Sequence, residues 1–199
     1  LICTIADRLE AHHARHIVLD PVMVATSGAK LIDDDAITAL TERLFPLAEV
    51  ITPNIPETEV LLDLIAHRGA SLDPAKWAED TDRESTRIVS DTAMEDAGRT
   101  VSEHYGCAVL VKGGHGVADA SDLLYADGVA TWIHGVRVDN PNTHGTGCTL
   151  SSAIASNLAK GEALPDAIRH AKDYLTGALG AQLNLGHGSG PMDHAWHWR

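Results

Sequence analysis

The chain has 199 residues, of which 44% are hydrophobic, so it is long enough to form a substantial buried core. Its formal net charge of -13 argues against a nucleic-acid-binding surface, because DNA and RNA attract clustered positive charge. Three cysteines form no disulfide framework, and no apolar run is long enough to span a bilayer. We therefore expect a cytoplasmic protein that binds neither nucleic acid nor a membrane.

The predicted elements alternate between helices and strands. Helices are predicted at residues 1–14, 31–44, 92–104, 149–159 and 165–182, and a further helix is predicted to begin at its cap Asn54. Strands are predicted at residues 17–19, 50–52 and 108–111, and a hairpin at 121–125 and 130–134 turns at Asp127-Gly128. Such alternation predicts an α/β fold with a mostly parallel central sheet covered by helices on both faces.

The chain begins within this pattern, since Leu1 is not a start methionine and already belongs to a predicted helix. We expect residues 1–199 to form a single domain whose native chain begins earlier. Residues 67–87 are polar and carry mixed charge, which is typical of a surface insertion rather than of a domain boundary.

Polar side chains follow three of the predicted strands. Asp20 comes after the first strand, Thr52 and Asn54 close the second, and Lys112 follows the third. In parallel sheets, ligands bind beyond the carboxyl ends of the strands. The sequence therefore predicts a binding site at this edge of the sheet.

The segment from Thr52 to Glu57 places a hydroxyl, an amide and a carboxylate around one strand-to-helix turn. Magnesium prefers hard oxygen ligands and keeps several of its waters, so Glu57 with Asp20 could hold it through water. The structural alternative makes Asn54 a helix cap and Glu57 a favourable first-turn charge. For Asn54 alone that alternative is favoured, whereas the three residues together favour a functional site.

Lys112 is followed by Gly113, Gly114 and His115. A lysine at a strand end can offer its ammonium group to phosphate, while glycines permit close approach of a ligand. An ordinary turn with a solvated lysine is an equally good interpretation of this segment alone.

A glycine-rich loop, residues 142–149 (NTHGTGCT), opens the next-to-last helix. The first amides of a helix lack internal partners, so Gly145, Thr146 and Gly147 could seat a phosphate or an oxyanion. Cys148 lies in this seat as a candidate nucleophile, a general base, or a small packing residue. Its position favours a catalytic role, and base chemistry suits phosphoryl transfer better than a covalent thiol intermediate.

These motifs closely resemble the hydroxymethylpyrimidine/phosphomethylpyrimidine kinases of thiamine biosynthesis. The resemblance rests on LDPVMVATSG at residues 19–28, TPNIPE at 52–57, KGGH at 112–115, NTHGTGCT at 142–149 and LGHGSGP at 185–191. Cysteine in the Gly-Thr-Gly-Cys position distinguishes this family from most ribokinase-like relatives, which carry aspartate there.

The resemblance implies a ribokinase-like three-layer α/β/α fold and a kinase that uses ATP and Mg²⁺. It implies phosphorylation of 4-amino-5-hydroxymethyl-2-methylpyrimidine and then of its monophosphate, and it allows a homodimer. The implied roles are as follows: Asp20 and Glu57 for magnesium, Thr52, Asn54, Glu57 and Lys112 for ATP, Gly145 to Cys148 for the anion hole with Cys148 as base, and Val22 and Met23 beside the pyrimidine.

Two alternatives stay open from the sequence. Some ribokinase-like vitamin kinases with this cysteine accept pyridoxal or both substrates, so a pyridoxal kinase of the same fold is the main alternative. Family members begin with further strands and a glycine-rich segment that shapes the substrate pocket, and that segment would decide between the two substrates. A non-catalytic binder of nucleotide or pyrimidine is the other, although it predicts the loss of Asp20, Glu57, Lys112 or Cys148, and all four are present.

Overall fold

The computed structural model describes residues 1–23, 31–66, 86–113, 120–140, 144–183, 185 and 190–198. Two compact units are found, one from residues 1–113 and 122–132, the other from residues 114–121 and 133–199. In these described ranges no helix is long and apolar enough to cross a membrane. The single kinase domain over 1–199 stays a prediction, and the proposed insertion at 67–87 lies outside the described residues except for its last two.

The first unit opens with helix α1, Ile2–Ala11, which buries Ala6 completely. Helix α2, Asp34–Ala39, continues as a π-helical segment at Leu40–Leu44 and a 3-10 turn at Phe45–Leu47. Pro46 lies in that last turn, where its missing N–H prevents continuation of the ladder of i to i−4 bonds. Both helices were predicted, and each is shorter as an α-helix than the sequence indicated.

Within the part of the chain that the structure describes, the sheet of the first unit has five strands in the order β1-β2-β3-β4-β5. Strands β1 (Val18–Leu19), β2 (Val50–Ile51) and β3 (Ala108–Val111) run parallel, and β4 (Asp122–Ala126) pairs antiparallel with β3. Strand β5, Val129–Ile133, completes the hairpin, whose turn residues Asp127 and Gly128 both have positive φ. The predicted α/β class and hairpin are thereby confirmed.

Helices α3 (Ile55–Ala66) and α4 (Asp91–Tyr105) pack against each other. Helix α4 also contacts β3 and β4, and its N-cap Ser90 accepts a hydrogen bond from the Ala93 amide. Phe45 meets Tyr105 edge to face with ring centroids 4.9 Å apart in the core of this unit.

The second unit contains helices α5 (Thr146–Ala159) and α6 (Leu164–Gly180), which pack closely together. A 3-10 turn at Trp196–Trp198 follows α6. Helix α5 begins three residues earlier than predicted, because Gly145 takes a left-handed conformation with φ of 82° and caps it. The first helical residues are therefore Thr146, Gly147 and Cys148.

Candidate functional site

Strand register places the predicted polar residues at one edge of the sheet. Leu19 aligns with Ile51, Ile51 aligns with Val109, and a parallel bridge pairs Asn54 with Lys112 further along. The residues that follow these strands consequently lie together, as expected for parallel neighbours. We call Asp20, Thr52, Asn54, Glu57 and Lys112 the strand-end cluster.

An ion pair lies at the centre of the strand-end cluster. Lys112 Nζ is 2.7 Å from Asp20 Oδ1, and their side chains are 17% and 12% exposed. The Thr52 hydroxyl donates to the same Oδ1 atom at 3.1 Å. Thr52 itself is buried, so its direct role is to hold the Asp20 carboxylate in place.

Asn54 and Glu57 form a reciprocal cap at the start of α3. The Glu57 amide donates to Asn54 Oδ1, and the Asn54 amide donates to Glu57 Oε2, each at 2.8 Å. Glu57 Oε1 accepts from the Met23 amide at 3.4 Å. The carboxylate thus joins the start of α3 to the segment that follows β1.

Glu57 is only 2% exposed, and this burial raises the pKa of its carboxyl above the ordinary value. The nearby Asp20 charge acts in the same direction, whereas the Asn54 and Met23 amides and the Lys112 ammonium oppose the increase in pKa. The site therefore contains a carboxyl group that is more readily protonated than an exposed glutamate.

Asp122 lies beside the strand-end cluster, and the sequence did not reveal its position there. Its Oδ1 accepts from the Gly113 amide at 2.9 Å, which fixes the chain immediately after Lys112. Asp122 is 5% exposed and begins β4, nine residues further along the chain. No local sequence pattern connects an aspartate in a hairpin strand with the preceding lysine turn.

The predicted substrate contacts at Val22 and Met23 lie just beyond β1. The Val22 side chain is 49% exposed, whereas the Met23 side chain is 1% exposed and belongs to the hydrophobic core. The rest of that motif, residues 24–28, lies outside the described residues, and so do Gly114 and His115. The pyrimidine-facing roles of Val22 and Met23 stay predictions.

The cluster suits a hydrated cation better than a directly coordinated one. Within the described ranges, no three His, Cys, Asp or Glu side chains are grouped so that they could hold a metal ion. Among the described residues, Thr52 and Lys112 both donate to Asp20 Oδ1, and each Glu57 oxygen accepts one amide, so these carboxylates have lone pairs that their described partners do not use. Magnesium is usually bound by one or two carboxylates together with waters and substrate phosphates, and these donors fit that pattern.

The residues of the predicted anion seat lie at the start of α5 in the second unit. The first α-helical bond of α5 is donated by the Thr149 amide to Gly145 O at 2.9 Å. The amides of Thr146, Gly147 and Cys148 precede that bond, and they lie at the N-terminal end of the helix, where the dipole is positive. Cys148 is exposed at this end, so a ligand at the seat could reach its sulfur.

A groove of about 810 Å³ runs along α5 in the same unit. It is lined by Cys148, Ser152, Ser156 and Lys160, which are spaced four residues apart, and by Tyr174 and Trp196. The thiol therefore opens into a solvent-accessible groove of mixed polarity rather than into the packed core.

Solved structures of vitamin kinases resemble the chain over nearly its whole length. A pyridoxal kinase of Staphylococcus aureus in complex with ADP has a TM-score of 0.79 and 25% identity, covering 100% of this chain and 65% of that one. A pyridoxal kinase of Bacillus subtilis in complex with ADP has a TM-score of 0.74 and 27% identity, covering 99% and 66%. The phosphomethylpyrimidine kinase of Clostridium difficile has a TM-score of 0.64 and 31% identity, covering 88% and 62%. The fold is that of the ribokinase-like kinases.

Sequence comparison narrows this class to one family. The phosphomethylpyrimidine kinase family model matches residues 1–81 and 78–193. The hydroxymethylpyrimidine/phosphomethylpyrimidine kinase of Haemophilus influenzae is 38% identical over 199 residues, and a bifunctional thiamine biosynthesis protein of Geobacter sulfurreducens is 42% identical over 194. The chain belongs to the phosphomethylpyrimidine kinase family.

These alignments cover 98% and 97% of this chain, but 66% and 35% of the two relatives. The chain therefore spans less than two thirds of the length of each of these curated relatives.

Proposed function

We propose that the chain transfers the γ-phosphoryl group of ATP to 4-amino-5-hydroxymethyl-2-methylpyrimidine and to its monophosphate. The observation that carries this proposal is the strand-end cluster, in which a lysine and an aspartate form an ion pair beside a capped glutamate. Phosphoryl transfer depends mainly on positioning and on neutralising charge, and the cluster offers groups for both. The names of the similar kinases supply the substrate.

In this proposal the first unit binds the nucleotide. Lys112 offers its ammonium to the ATP phosphates, and Thr52 and Asn54 fix the carboxylates beside it. Asp20 and Glu57 would hold Mg²⁺ through its waters, and the bound ion would supply positive charge to the phosphates.

We assign the transfer itself to residues of the second unit. The amides of Thr146, Gly147 and Cys148, turned into place by Gly145, would stabilise the negative charge of the transferred phosphoryl group. Cys148 would accept the proton of the substrate hydroxyl as that oxygen bonds to the γ-phosphorus and the bond to the leaving ADP oxygen breaks.

A pyridoxal kinase is the second candidate function, because the solved structures with TM-scores of 0.74 and 0.79 are pyridoxal kinases. Both candidates use the same nucleotide site and differ in the acceptor that carries the hydroxyl. A cytoplasmic location and a homodimer stay predictions under either function.

The deciding experiment measures ATP consumption by the 199-residue chain with the hydroxymethylpyrimidine and, separately, with pyridoxal. We expect Mg²⁺-dependent turnover on the pyrimidine that exceeds turnover on pyridoxal. A preference for pyridoxal would make the pyridoxal kinase the better-supported of the two functions. ATP binding with no turnover on either acceptor would instead identify the chain as a nucleotide binder.

A further inference from the structure

We propose that the Asp20–Lys112 ion pair breaks when nucleotide binds, and that each residue exchanges its partner. Lys112 then pairs with the phosphates, and Asp20 pairs with the hydrated cation. This inference rests on the proposed function and deepens it. It makes metal and nucleotide binding mutually dependent at the strand-end cluster, because neither ligand alone supplies both replacement partners.

The first support is that the pair occupies the groups that the two ligands need. Lys112 Nζ, which would bind phosphate, is 2.7 Å from Asp20 Oδ1, which would bind the hydrated cation. With side-chain exposures of 17% and 12%, both groups have lost most of their contact with water. Removing one partner from such a pair is costly unless another opposite charge replaces it.

The second support is that the surroundings favour movement of the lysine side chain alone. The Lys112 amide donates to Pro53 O at 2.8 Å, and the neighbouring Gly113 amide is held by Asp122, so the backbone is fixed. The carboxylate is fixed as well, since the Thr52 hydroxyl donates to Asp20 Oδ1. The lysine side chain has four flexible methylene groups, so it can change partner without moving the strand.

The third support is the sign of the surrounding charge. Metal-free phosphate that approached Lys112 would also meet the Asp20 and Glu57 carboxylates, and Glu57 is almost completely buried. A cation at Asp20 would meet the Lys112 ammonium in the same way. Each ligand is repelled until the other arrives, and such coupling is reciprocal in binding free energy.

The test is a double-mutant cycle on ADP binding, measured by calorimetry in EDTA and in Mg²⁺. In the wild type we expect Mg²⁺ to strengthen ADP binding by at least about tenfold, within the usual range of coupling between sites. Asp20→Asn releases Lys112, so it is expected to strengthen ADP binding in EDTA about tenfold. The ADP affinities of this variant in Mg²⁺ and in EDTA are then expected to be nearly equal.

Lys112→Met distinguishes exchange from the simple removal of a negative charge. If Lys112 must leave Asp20, then Asp20→Asn will strengthen metal-free binding more in the wild type than in the Lys112→Met background, where it only relieves the repulsion between Asp20 and the phosphates. Asp96→Asn is the matched control, because it removes the same charge from the exposed Asp96–Arg99 pair on α4 and is expected to leave ADP binding unchanged.

The outcomes separate the two proposals. An equal gain from Asp20→Asn in both backgrounds, or no gain in either, would overturn the exchange while the nucleotide site stands. Wild-type chain that binds no ADP in Mg²⁺ would overturn the proposed function and the exchange together. Far-ultraviolet circular dichroism of all variants identifies any that fail to fold. If Lys112→Met is one of these, Lys112→Gln replaces it in the cycle as a second variant without the ammonium, with the same expected result.

Discussion

Asn54 and Glu57 cap helix α3 by exchanging two hydrogen bonds of 2.8 Å, each from the backbone amide of one residue to the side chain of the other. The Glu57 carboxylate accepts a second amide from Met23, 34 residues earlier in the chain. One carboxylate therefore satisfies two backbone donors that no helical bond reaches, and it links two segments of the proposed nucleotide site.

Replacing Asn54 with alanine is expected to lower the free energy of unfolding by about 1 kcal/mol, the usual cost of losing an N-cap side chain. Urea denaturation measures this loss. Ser90→Ala is the matched control, since the Ser90 side chain caps α4 through the Ala93 amide at 3.1 Å. We expect both variants to lose similar stability and only Asn54→Ala to weaken nucleotide binding. Equal nucleotide affinity in the two variants would assign Asn54 to the cap alone.

Glu57 is expected to make the stability of the chain depend on pH. Because burial raises its pKa in the folded state, the folded chain holds this proton more tightly than the unfolded chain. The contribution of Glu57 to the unfolding free energy is therefore complete below the ordinary pKa of 4.5 and is lost as pH rises through the folded value.

Urea titrations at several pH values above 4.5 test this sign by comparing the wild type with Glu57→Gln. We expect the variant to lose less stability with rising pH than the wild type. Glu103→Gln, at an exposed site on α4, controls for the change in net charge. Parallel pH profiles for the wild type and Glu57→Gln would contradict the prediction.

The sequence predicted the sheet edge because its signals are local. Strand β3 occupies residues 108–111 as predicted, and Asp127 and Gly128 form the predicted turn. Parallel strands bring their carboxyl ends together, so Asp20, Thr52 and Lys112 could be grouped without coordinates.

Long-range contacts could not be predicted in this way. Asp122 accepts the Gly113 amide from a strand that runs the other way, and Met23 reaches Glu57 across 34 residues. The early start of α5 was missed because it depends on the left-handed conformation of Gly145, which glycine permits but does not require.

Cys148 is expected to matter for turnover far more than for nucleotide affinity. Loss of a general base typically lowers the rate by a factor of about 10² to 10⁴, and Cys148→Ala is expected to fall in this range with the ADP affinity unchanged. Cys148→Asp restores a proton acceptor at the same position and is expected to recover part of the rate. Cys3→Ala removes another exposed thiol and serves as the control. A Cys148→Ala rate equal to that of the wild type would remove this residue from the mechanism.

The three thiols are expected to differ in their reaction with iodoacetamide. Cys107 is buried, and burial raises its pKa to about 11, so little of its reactive thiolate form exists at neutral pH. Cys3 and Cys148 are both exposed. Peptide mass spectrometry is expected to find rapid modification of these two and slow modification of Cys107. ATP whose γ-phosphoryl group occupies the anion seat is expected to protect Cys148 and leave Cys3 unchanged, and equal protection of both would contradict that location.

Gly177 is expected to resist replacement by alanine, although alanine usually favours a helix by about 1 kcal/mol. A Cβ atom there would lie 2.2 Å from Trp196 Cζ2 and 2.4 Å from Cε2, so the indole ring must move. We expect Gly177→Ala to lose about 1 to 3 kcal/mol of unfolding free energy, as overpacked sites do, and to shift tryptophan emission to longer wavelength as the indole becomes more hydrated. Gly180 lies in the same helix with open space around its Cβ position, so Gly180→Ala is the control and is expected to keep or increase stability. A Gly177→Ala variant as stable as Gly180→Ala, with unchanged emission, would show that Trp196 does not need this close contact with α6.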